Sequence, residues 1–526
     1  MAINQRKAGT ILSYAHIIIG NTISLIYTPI MLKMLGQSEY GLFGTANSVT
    51  SYLSLFSFGI SGAYIRFNSL YRAKGDKEGE AKLNGVFFSI FSFLALLVLI
   101  TGSIMVIFAD NIFGNSLTDT ELKKIKIIMI LSICQFVVTF LFNTVAMVIQ
   151  AYEKYIFIKS AVLIAGIVQP MINLVVLYFG GKAVSISVIS LAVSILTYST
   201  YVIYAKKSLN MKFDFHGLDK LLIKNVFVFS GFLFINSITD QITGSTDTLL
   251  LGMFSGTNAV AIYTIGATFG RYFMSISTSV SSVFSPQINK IVAEDKNNNV
   301  ALNEIFQRIG RVQCLIVSFI LIAYIIFGLH FINLWAGEEY GITSYFVGLF
   351  LLLATYVPLF QNIGIEIQKA KNMHKARSIV YFLVAVVNVL LTIGIVLFLK
   401  NYFGSDSDSF KVYASMGAAF MTMFCYICGN DIFMNIYYHK KVGLDIITFW
   451  KKILRLVPGF LIPIAFGAFI TYVFPIDSFL VFLVEAILFT VVFFISVWFL
   501  SMNEYEKELL SAPIKKIAGK LKRIKG

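Results

Sequence analysis

Apolar runs long enough to cross a lipid bilayer recur from one end of this sequence to the other. A membrane-spanning helix needs about 20 consecutive apolar residues. The 526-residue chain is 57% hydrophobic and only 13% charged, whereas a soluble protein of this length would need a far more charged surface. A membrane β-barrel is disfavoured because its strands alternate apolar and polar residues in segments of about 10. The sequence therefore predicts an all-α integral membrane protein.

The apolar runs divide the chain into about fourteen predicted spans. Their approximate centres are Ile19, Leu53, Ala95, Val137, Gly166, Leu191, Thr239, Phe273, Phe319, Leu353, Val387, Phe424, Pro463 and Thr490. Most of the 42 Lys and Arg residues fall in every second connection between these spans. Lys and Arg concentrate on the cytoplasmic side of a membrane, so we expect both termini in the cytoplasm. The net charge of +15 follows from this topology and from contact with anionic membrane lipids, and no nucleic-acid partner is expected.

A weak internal repeat relates the first six spans to the next six. Ile149-Gln150 corresponds to Ile367-Gln368, and Gly36 corresponds to Gly256, each at an offset of about 220 residues. Repeated halves of a transporter usually enclose a central site and alternate its access between the two sides. The predicted domains are an N-terminal six-helix lobe over residues 1–220, a C-terminal six-helix lobe over residues 221–437, and two extra helices with a basic cytoplasmic tail over residues 438–526.

A polar hairpin between Asn225 and Lys290 interrupts the apolar pattern. Its first helix carries, at helical spacing, Asn236, Asp240, Thr243 and Asp247. Its second helix carries, also on one face, Thr264, Thr268, Arg271, Ser275, Thr278 and Ser282. An arginine at the middle of a membrane costs about 3 kcal/mol on insertion scales, so it normally faces a wet cavity or a partner. We expect the hairpin to line a polar cavity.

Arg271 is the strongest single candidate for a functional residue. A guanidinium binds phosphate oxygens in a bidentate manner, which favours an anion site in the cavity. The alternative is a structural ion pair with Asp240 or Asp247. Both interpretations stay open, because the two pairings could occur in different conformations.

Each of the other polar and charged residues in the spans has two interpretations, one functional and one purely structural. Asp240, Asp247 and Asn236 could bind a coupling Na⁺ or H⁺, although Asp247 near the outer end of its helix could simply be solvent-exposed. Arg66 ends the second span, where it could meet an anionic headgroup or serve as a topology anchor.

The sequence contains no pattern that indicates an enzyme. No G-x-x-x-x-G-K-[ST] loop is present, no His/Cys cluster has metal-ligand spacing, and no nucleophile stands beside a base. The outer connections are short, the longest running from about residue 109 to residue 123. We therefore predict no catalytic residue, no metal site and no cofactor beyond a coupling ion.

Several stretches resemble one family, the polysaccharide flippases of the multidrug/oligosaccharidyl-lipid/polysaccharide exporter superfamily. They are Pro29 with Leu35–Phe43, Phe58–Ala63 leading to Arg66, Gln150–Lys154, Ser285–Ile288, Gln368–Ala370 and His374–Arg377. The resemblance implies a V-shaped, alternating-access bundle of two six-helix lobes. It implies export of an undecaprenyl-diphosphate-linked oligosaccharide from the inner to the outer leaflet of a bacterial cytoplasmic membrane, for surface polysaccharide assembly.

The resemblance also implies roles for particular residues. Related lipid flippases hold cationic residues in the first, second and eighth helices, and Arg66 and Arg271 match the latter two. The first helix offers only His16 and Asn21, which argues for a capsule, teichoic or O-antigen-like repeat unit and against the peptidoglycan precursor. Arg271 would hold the diphosphate, and the polyprenyl tail would follow a groove at the two extra helices. The sugar hydroxyls would bind polar residues of the second and eighth spans, among them Asn47, Ser54, Thr268 and Ser275.

Three alternatives stay open. A cation-coupled multidrug exporter of the same superfamily would have an acidic cavity, which Asp240 and Asp247 allow and Arg271 opposes. An enzyme acting on the same lipid would need a catalytic loop outside the membrane. A non-transporting scaffold that binds polysaccharide assembly proteins is the third.

Overall fold

The computed structural model describes residues 5–57, 60–216, 220–295, 298–404, 407–509 and 511. Within these residues every regular element is a helix, so the predicted all-α fold is confirmed. Most of the predicted basic tail, from residue 512 onward, lies outside the described part of the chain.

The first eight α-helices occupy the N-terminal part of the chain. They are α1 (Gln5–Leu35), α2 (Gln37–Ser51), α3 (Ile60–Lys74), α4 (Lys77–Ile107), α5 (Ala109–Phe113), α6 (Asp119–Ala151), α7 (Tyr155–Tyr178) and α8 (Ala183–Ser208). The second predicted span is not one continuous α-helix, because a 3₁₀ helix over Tyr52–Ser57 follows α2. The tighter 3₁₀ turn changes which side chains share a face, and hydropathy does not register that change.

Eleven further α-helices complete the described chain. They are α9 (Lys220–Phe254), α10 (Gly256–Glu294), α11 (Asn299–Ala336), α12 (Gly341–Phe360), α13 (Asn362–Ala370), α14 (His374–Phe403), α15 (Asp408–Cys425), α16 (Ile432–Tyr437), α17 (Ile446–Leu454), α18 (Val457–Val473) and α19 (Phe479–Leu500). Two π-helical turns, Tyr426–Asp431 and Tyr438–Val442, flank α16.

Eleven helical segments of the described chain are long and apolar enough to cross a membrane. The three remaining predicted spans, centred on Leu53, Thr239 and Phe273, fall in the polar segments around α2, α9 and α10. The chain is a multi-pass membrane protein, and the count of fourteen spans stays a prediction.

The backbone takes the same unusual conformation at matching junctions of the predicted repeat. Gly36 before α2 has φ 80°, and Gly256, the first residue of α10, has φ 81°. Glu153 before α7 has φ 56°, and Asn372 before α14 has φ 58°. These left-handed residues end one helix and let the next begin at once. The agreement supports the internal repeat at these junctions.

The chain divides into two compact units. The first unit comprises Met1–Thr264 and Ala385–Ala418, and the second comprises Ile265–Val384 and Ala419–Gly526. These limits differ from the lobe boundaries at residues 220 and 437, which stay a prediction from the repeat.

The first unit is held together by close helix packing around aromatic side chains. α6 packs against α4 and α8, and α1 packs against α7. The Tyr64 and Phe87 rings meet edge to face with centroids 5.0 Å apart. Gly41 of α2 lies against the backbone of Thr257, so that a Cβ at Gly41 would collide with that carbonyl oxygen. Small residues permit such approaches between helices in a membrane, where tight packing replaces the hydrophobic effect as the source of helix association.

The second unit has its own aromatic core. α11 packs against α12 and α19, and α18 packs against α19. The ring centroids of Phe306 and Phe449 lie 4.5 Å apart, and the Phe360 ring lies edge-on to Trp450 at 5.6 Å. This core joins α11 to the short amphipathic helix α17, which begins with Asp445 accepting a hydrogen bond from the Thr448 N–H (3.0 Å). A hydrogen bond from the Thr448 side chain, followed by the one from its backbone N–H, holds the pKa of Asp445 below its usual value.

Candidate functional site

Arg271 lies on α10 in the second unit with its side chain exposed. Its Nη2 donates a hydrogen bond to the Thr268 hydroxyl, one turn earlier on the same helix, at 2.7 Å. Thr268 itself is buried, so a fixed hydroxyl positions an outward-facing guanidinium. Among the residues that the structure describes, this is the one hydrogen bond of the guanidinium, which leaves most of its donors available to an anion.

The other polar residues of α10 lie on two different faces. Thr278 and Ser282 are exposed like Arg271, and Ser275 is half-buried. The Thr278 hydroxyl donates to the Met274 carbonyl oxygen (2.9 Å), which leaves its oxygen lone pairs facing outward. The predicted stripe is thus an exposed polar face at residues 271–282, whereas Thr268 is buried.

A second polar face of α10, which the sequence analysis missed, fastens this helix to its neighbours. The Ser277 hydroxyl donates to the Leu359 carbonyl oxygen at 2.7 Å, and Gln313 Nε2 donates to the Ser281 hydroxyl at 2.6 Å. All of these side chains are buried. The i,i+4 spacing of Ser277 and Ser281 could have predicted this second face. Other serines lie between and beside them in the sequence, so this spacing did not stand out.

A polar cluster in the first unit joins the end of α2 to α9. Gln241 Nε2 donates to the hydroxyls of Ser51 (2.6 Å) and Ser245 (2.8 Å). The predicted residue Ser54 lies 3.5 Å from Gln241 Oε1. Asn47, also predicted, is half-buried one turn before Ser51. The sequence analysis missed Gln241 and Ser245, whose i,i+4 spacing on α9 was the available signal.

The three residues predicted to bind a coupling ion have different surroundings. Asp240 is exposed on α9, and the side chain of Asn236 lies outside the described part of the structure. Asp247 is buried, with 4% of its surface exposed. The alternative that Asp247 is simply solvent-exposed is therefore wrong.

Buried hydroxyl groups surround the Asp247 carboxylate. The Tyr263 hydroxyl donates to Oδ2 at 2.6 Å, and the Thr392 hydroxyl lies 3.5 Å from Oδ1. Thr392 also lies 3.5 Å from Asn388 Oδ1, and both residues are buried. A buried carboxylate is costly unless it is hydrogen-bonded or balanced by a cation. The cluster therefore offers several oxygen atoms around one negative charge, in a form suited to a monovalent cation or a proton.

Arg66 is exposed on α3 in the first unit, so the two predicted phosphate-binding arginines belong to different units. A buried hydrogen-bond network close to Arg66 in sequence anchors α3. The Tyr64 hydroxyl donates to Asn84 Oδ1 (2.6 Å), and Asn84 Nδ2 donates to the Lys212 carbonyl oxygen (2.9 Å). Arg72, further along α3, donates to the Ala151 carbonyl oxygen at 2.5 Å. Arg66 is thus presented on a well-fixed helix.

An apolar cavity of about 230 Å³ lies among α10, α11 and α19 in the second unit. Its lining is Phe269, Phe319, Ile320, Ala323, Tyr324, Phe327, Gly328, Phe331, Phe482, Ala486, Phe489 and Thr490. Glu485, next to this lining on α19, is buried, and neither of its carboxylate oxygens has a hydrogen-bond partner in the described structure. Nothing in the structure explains Glu485. Among the described residues, no group of His, Cys, Asp and Glu could hold a metal ion.

Solved structures of membrane transporters share this fold. The lipid II flippase MurJ, in an inward closed conformation, is similar with a TM-score of 0.67 at 15% identity, over 96% of this chain and 99% of that one. An inward-facing multidrug resistance transporter of the MATE family is similar with a TM-score of 0.56 at 13% identity, over 80% of this chain and 96% of that one. The protein is therefore a multi-pass membrane protein with the fold shared by these flippases and transporters.

The sequence match narrows this class to a family. The profile of the polysaccharide biosynthesis protein family matches residues 7–292, more than half of the chain. The protein belongs to this family, which confirms the resemblance found in its sequence motifs. It is also 22% identical over 442 residues to the uncharacterized membrane protein EpsK of Bacillus subtilis (strain 168), covering 82% of this chain and 83% of that protein.

Proposed function

We propose that the protein moves a polyprenyl-diphosphate-linked oligosaccharide from the inner to the outer leaflet of the bacterial cytoplasmic membrane, for surface polysaccharide assembly. One observation carries this proposal: an exposed Arg271, held by a buried hydroxyl, on a polar face of α10. Membership of a polysaccharide biosynthesis family supports the sugar-bearing cargo. The similarity of its fold to that of a protein named a lipid II flippase supports a lipid-linked cargo.

In the proposed mechanism, each chemical part of the cargo contacts a surface of matching chemistry. The diphosphate binds the Arg271 guanidinium by charge-assisted hydrogen bonds, which are roughly twice as strong as neutral ones. Arg66 receives the headgroup at the inner face, and hydroxyls such as Thr278 and Ser275 bind sugar hydroxyls. The polyprenyl tail stays in lipid and contacts the apolar cavity beside α19. Alternating access moves the headgroup between leaflets, with both termini of the chain in the cytoplasm.

The test of this function is made on cells that lack the protein. Lipid-linked oligosaccharides are extracted, identified by mass spectrometry and assigned to a leaflet with a reagent that cannot cross the membrane. We expect one species to accumulate in the inner leaflet, and its mass will identify the sugar. Normal surface polysaccharide without accumulation, in a strain that holds no second flippase, would contradict the proposal.

We further propose that a cation at Asp247 couples this movement to an ion gradient. Asp247→Asn is expected to remove the dependence of flipping on a Na⁺ or H⁺ gradient, because a neutral amide cannot balance a cation in a buried site. Flipping is measured in proteoliposomes with and without each gradient. Tyr263→Phe, which keeps the charge, should keep the dependence. Unaltered gradient dependence in a folded Asp247→Asn variant would refute this role and direct attention to Asp240.

A cation-coupled multidrug exporter is the second candidate function. The exposed carboxylate of Asp240 favours it, because an acidic side chain attracts organic cations. A deletion strain that becomes sensitive to cationic dyes, with no oligosaccharide accumulating, would support this alternative.

A further inference from the structure

A basic cavity of about 770 Å³ lies in the second unit, away from α10 and its polar face. It forms where α17 ends, α18 begins and α19 ends, against the first turns of α11. Its lining is Glu304, Gln307, Arg308, Arg311, Lys452, Arg455, Pro458, Leu500, Ser501, Met502, Asn503 and Tyr505. The proposed transport mechanism uses none of these residues.

A buried ion pair builds the wall of this cavity. Arg311 donates to both carboxylate oxygens of Glu506, at 2.6 and 3.0 Å. Its Nη1 donates to the backbone carbonyl oxygen of Lys452 (2.6 Å), and Nη2, which also donates to Glu506, donates to the backbone carbonyl oxygen of Ser501 (2.9 Å). Arg311 therefore ties α17 and the end of α19 to α11, and Glu506 neutralises its charge. Arg311 therefore has a structural role in the cavity wall, and other residues of the lining are the candidates for ligand binding.

Two of the three remaining cations of the lining have neutral partners. The Arg308 guanidinium lies 3.2 Å from the centroid of the Tyr505 ring. Lys452 Nζ donates to Gln307 Oε1 at 2.7 Å. Arg455 is exposed at the end of α17. With Arg311 neutralised, these three cations face one lining carboxylate, Glu304, so the cavity keeps an excess of positive charge.

Exposed apolar side chains accompany the lining of the cavity, because Leu500 lines it and three others directly adjoin lining residues in the sequence. Leu454, Val457 and Leu500 are 62%, 42% and 49% exposed, and Phe499 is 76% exposed. In a membrane protein such side chains contact acyl chains. The cavity thus lies where α18 begins and α19 ends, next to exposed apolar side chains of these two helices. Basic pockets between membrane helices on the cytoplasmic side bind anionic headgroups.

We propose that this cavity binds a phosphate group, supplied by the headgroup of an anionic membrane phospholipid. Arg308 and Arg455 contact the phosphate oxygens, for which planar guanidinium groups are well suited. Lys452 adds a point charge, and the acyl chains lie against Leu454, Val457 and Leu500. Binding there would fasten the two extra helices to the surrounding bilayer independently of any transported cargo.

Native mass spectrometry of the full-length protein in detergent tests this proposal. Phosphatidylglycerol, phosphatidylcholine and inorganic phosphate are titrated separately into the wild type and into the double variant Arg308→Gln/Arg455→Gln. We expect the tightest phosphatidylglycerol site to weaken about ten-fold or more in the double variant, since two charge-assisted contacts are lost. The matched control Lys440→Gln/Lys441→Gln removes the same charge from exposed residues outside the cavity and should keep that site.

Three results would overturn the proposal. An equal loss in both double variants would mean that general surface charge holds the lipid. Phosphatidylcholine binding as tightly as phosphatidylglycerol would mean that headgroup charge is not recognised. Inorganic phosphate binding as tightly as the lipid would make this a site for a free anion. If the double variant fails to fold, the single variant Arg455→Gln at an exposed position answers the same question.

Discussion

Replacing Arg271 by glutamine is expected to slow flipping by about 10- to 150-fold. Hydrogen bonds to a charged group contribute roughly 1.5–3 kcal/mol each, and 1.4 kcal/mol corresponds to a factor of ten. Glutamine keeps one donor and much of the length but loses the charge and the paired N–H geometry that fits a phosphate. The rate is measured in proteoliposomes, as the lipid-linked oligosaccharide that accumulates in deletion cells becomes accessible to an outside reagent.

Two further variants make the Arg271 result specific. Arg271→Lys keeps the charge without the planar guanidinium, so its rate should fall between those of the wild type and Arg271→Gln. Lys290→Gln removes an exposed positive charge from the same helix and should leave the rate unchanged. If Arg271→Gln folds normally and flips at the wild-type rate, Arg271 has no part in holding the diphosphate.

Replacing Arg311 by methionine is expected to lower the free energy of unfolding by about 3–5 kcal/mol, because it strands the Glu506 carboxylate in a buried position. The two carbonyl oxygens that Arg311 bonds, of Lys452 and Ser501, lose their donor as well. Thermal unfolding of the purified protein in detergent measures the loss. The midpoint should fall by many degrees compared with Arg308→Met, which removes an exposed arginine from the preceding turn.

A double variant separates the charge of this pair from its packing. Arg311→Met/Glu506→Gln removes both charges, so no unpaired charge stays buried and part of the lost stability should return. Equal stability of the wild type and Arg311→Met would show that the pair contributes nothing. A double variant less stable than Arg311→Met would mean that Glu506 has another essential partner.

The membrane fold could be predicted because hydrophobic length is a property of local sequence. Thirteen of the predicted span centres lie in α-helices of the structure, and Leu53 lies in the 3₁₀ helix after α2. That interruption and the π-helical turns beside α16 are changes of backbone hydrogen bonding. They leave the apolar content of a segment unchanged, and hydropathy is therefore insensitive to them.

The candidate site could be predicted only where its residues share one helix. The spacing of Thr268 and Arg271 placed both on α10 within hydrogen-bonding reach. The partners of Asp247 could not be found in this way, because Thr392 lies 145 positions further along the chain. Glu506 is similarly 195 positions from Arg311, and the charge pattern assigned Arg311 only to a basic connection. Pairing of this kind depends on how distant helices pack, and single-sequence periodicity does not contain that information.

The matching left-handed junctions at Gly36 and Gly256, and at Glu153 and Asn372, have a consequence for the history of the chain. A tandem duplication of a half-length gene would leave this kind of match between the two halves. An ancestor with six spans begins and ends on the same side of the bilayer, so a second copy can be fused to its end without an added linker helix. Under the proposed transport mechanism the two halves have diverged, because Arg66 of one and Arg271 of the other would contact the same cargo at different steps.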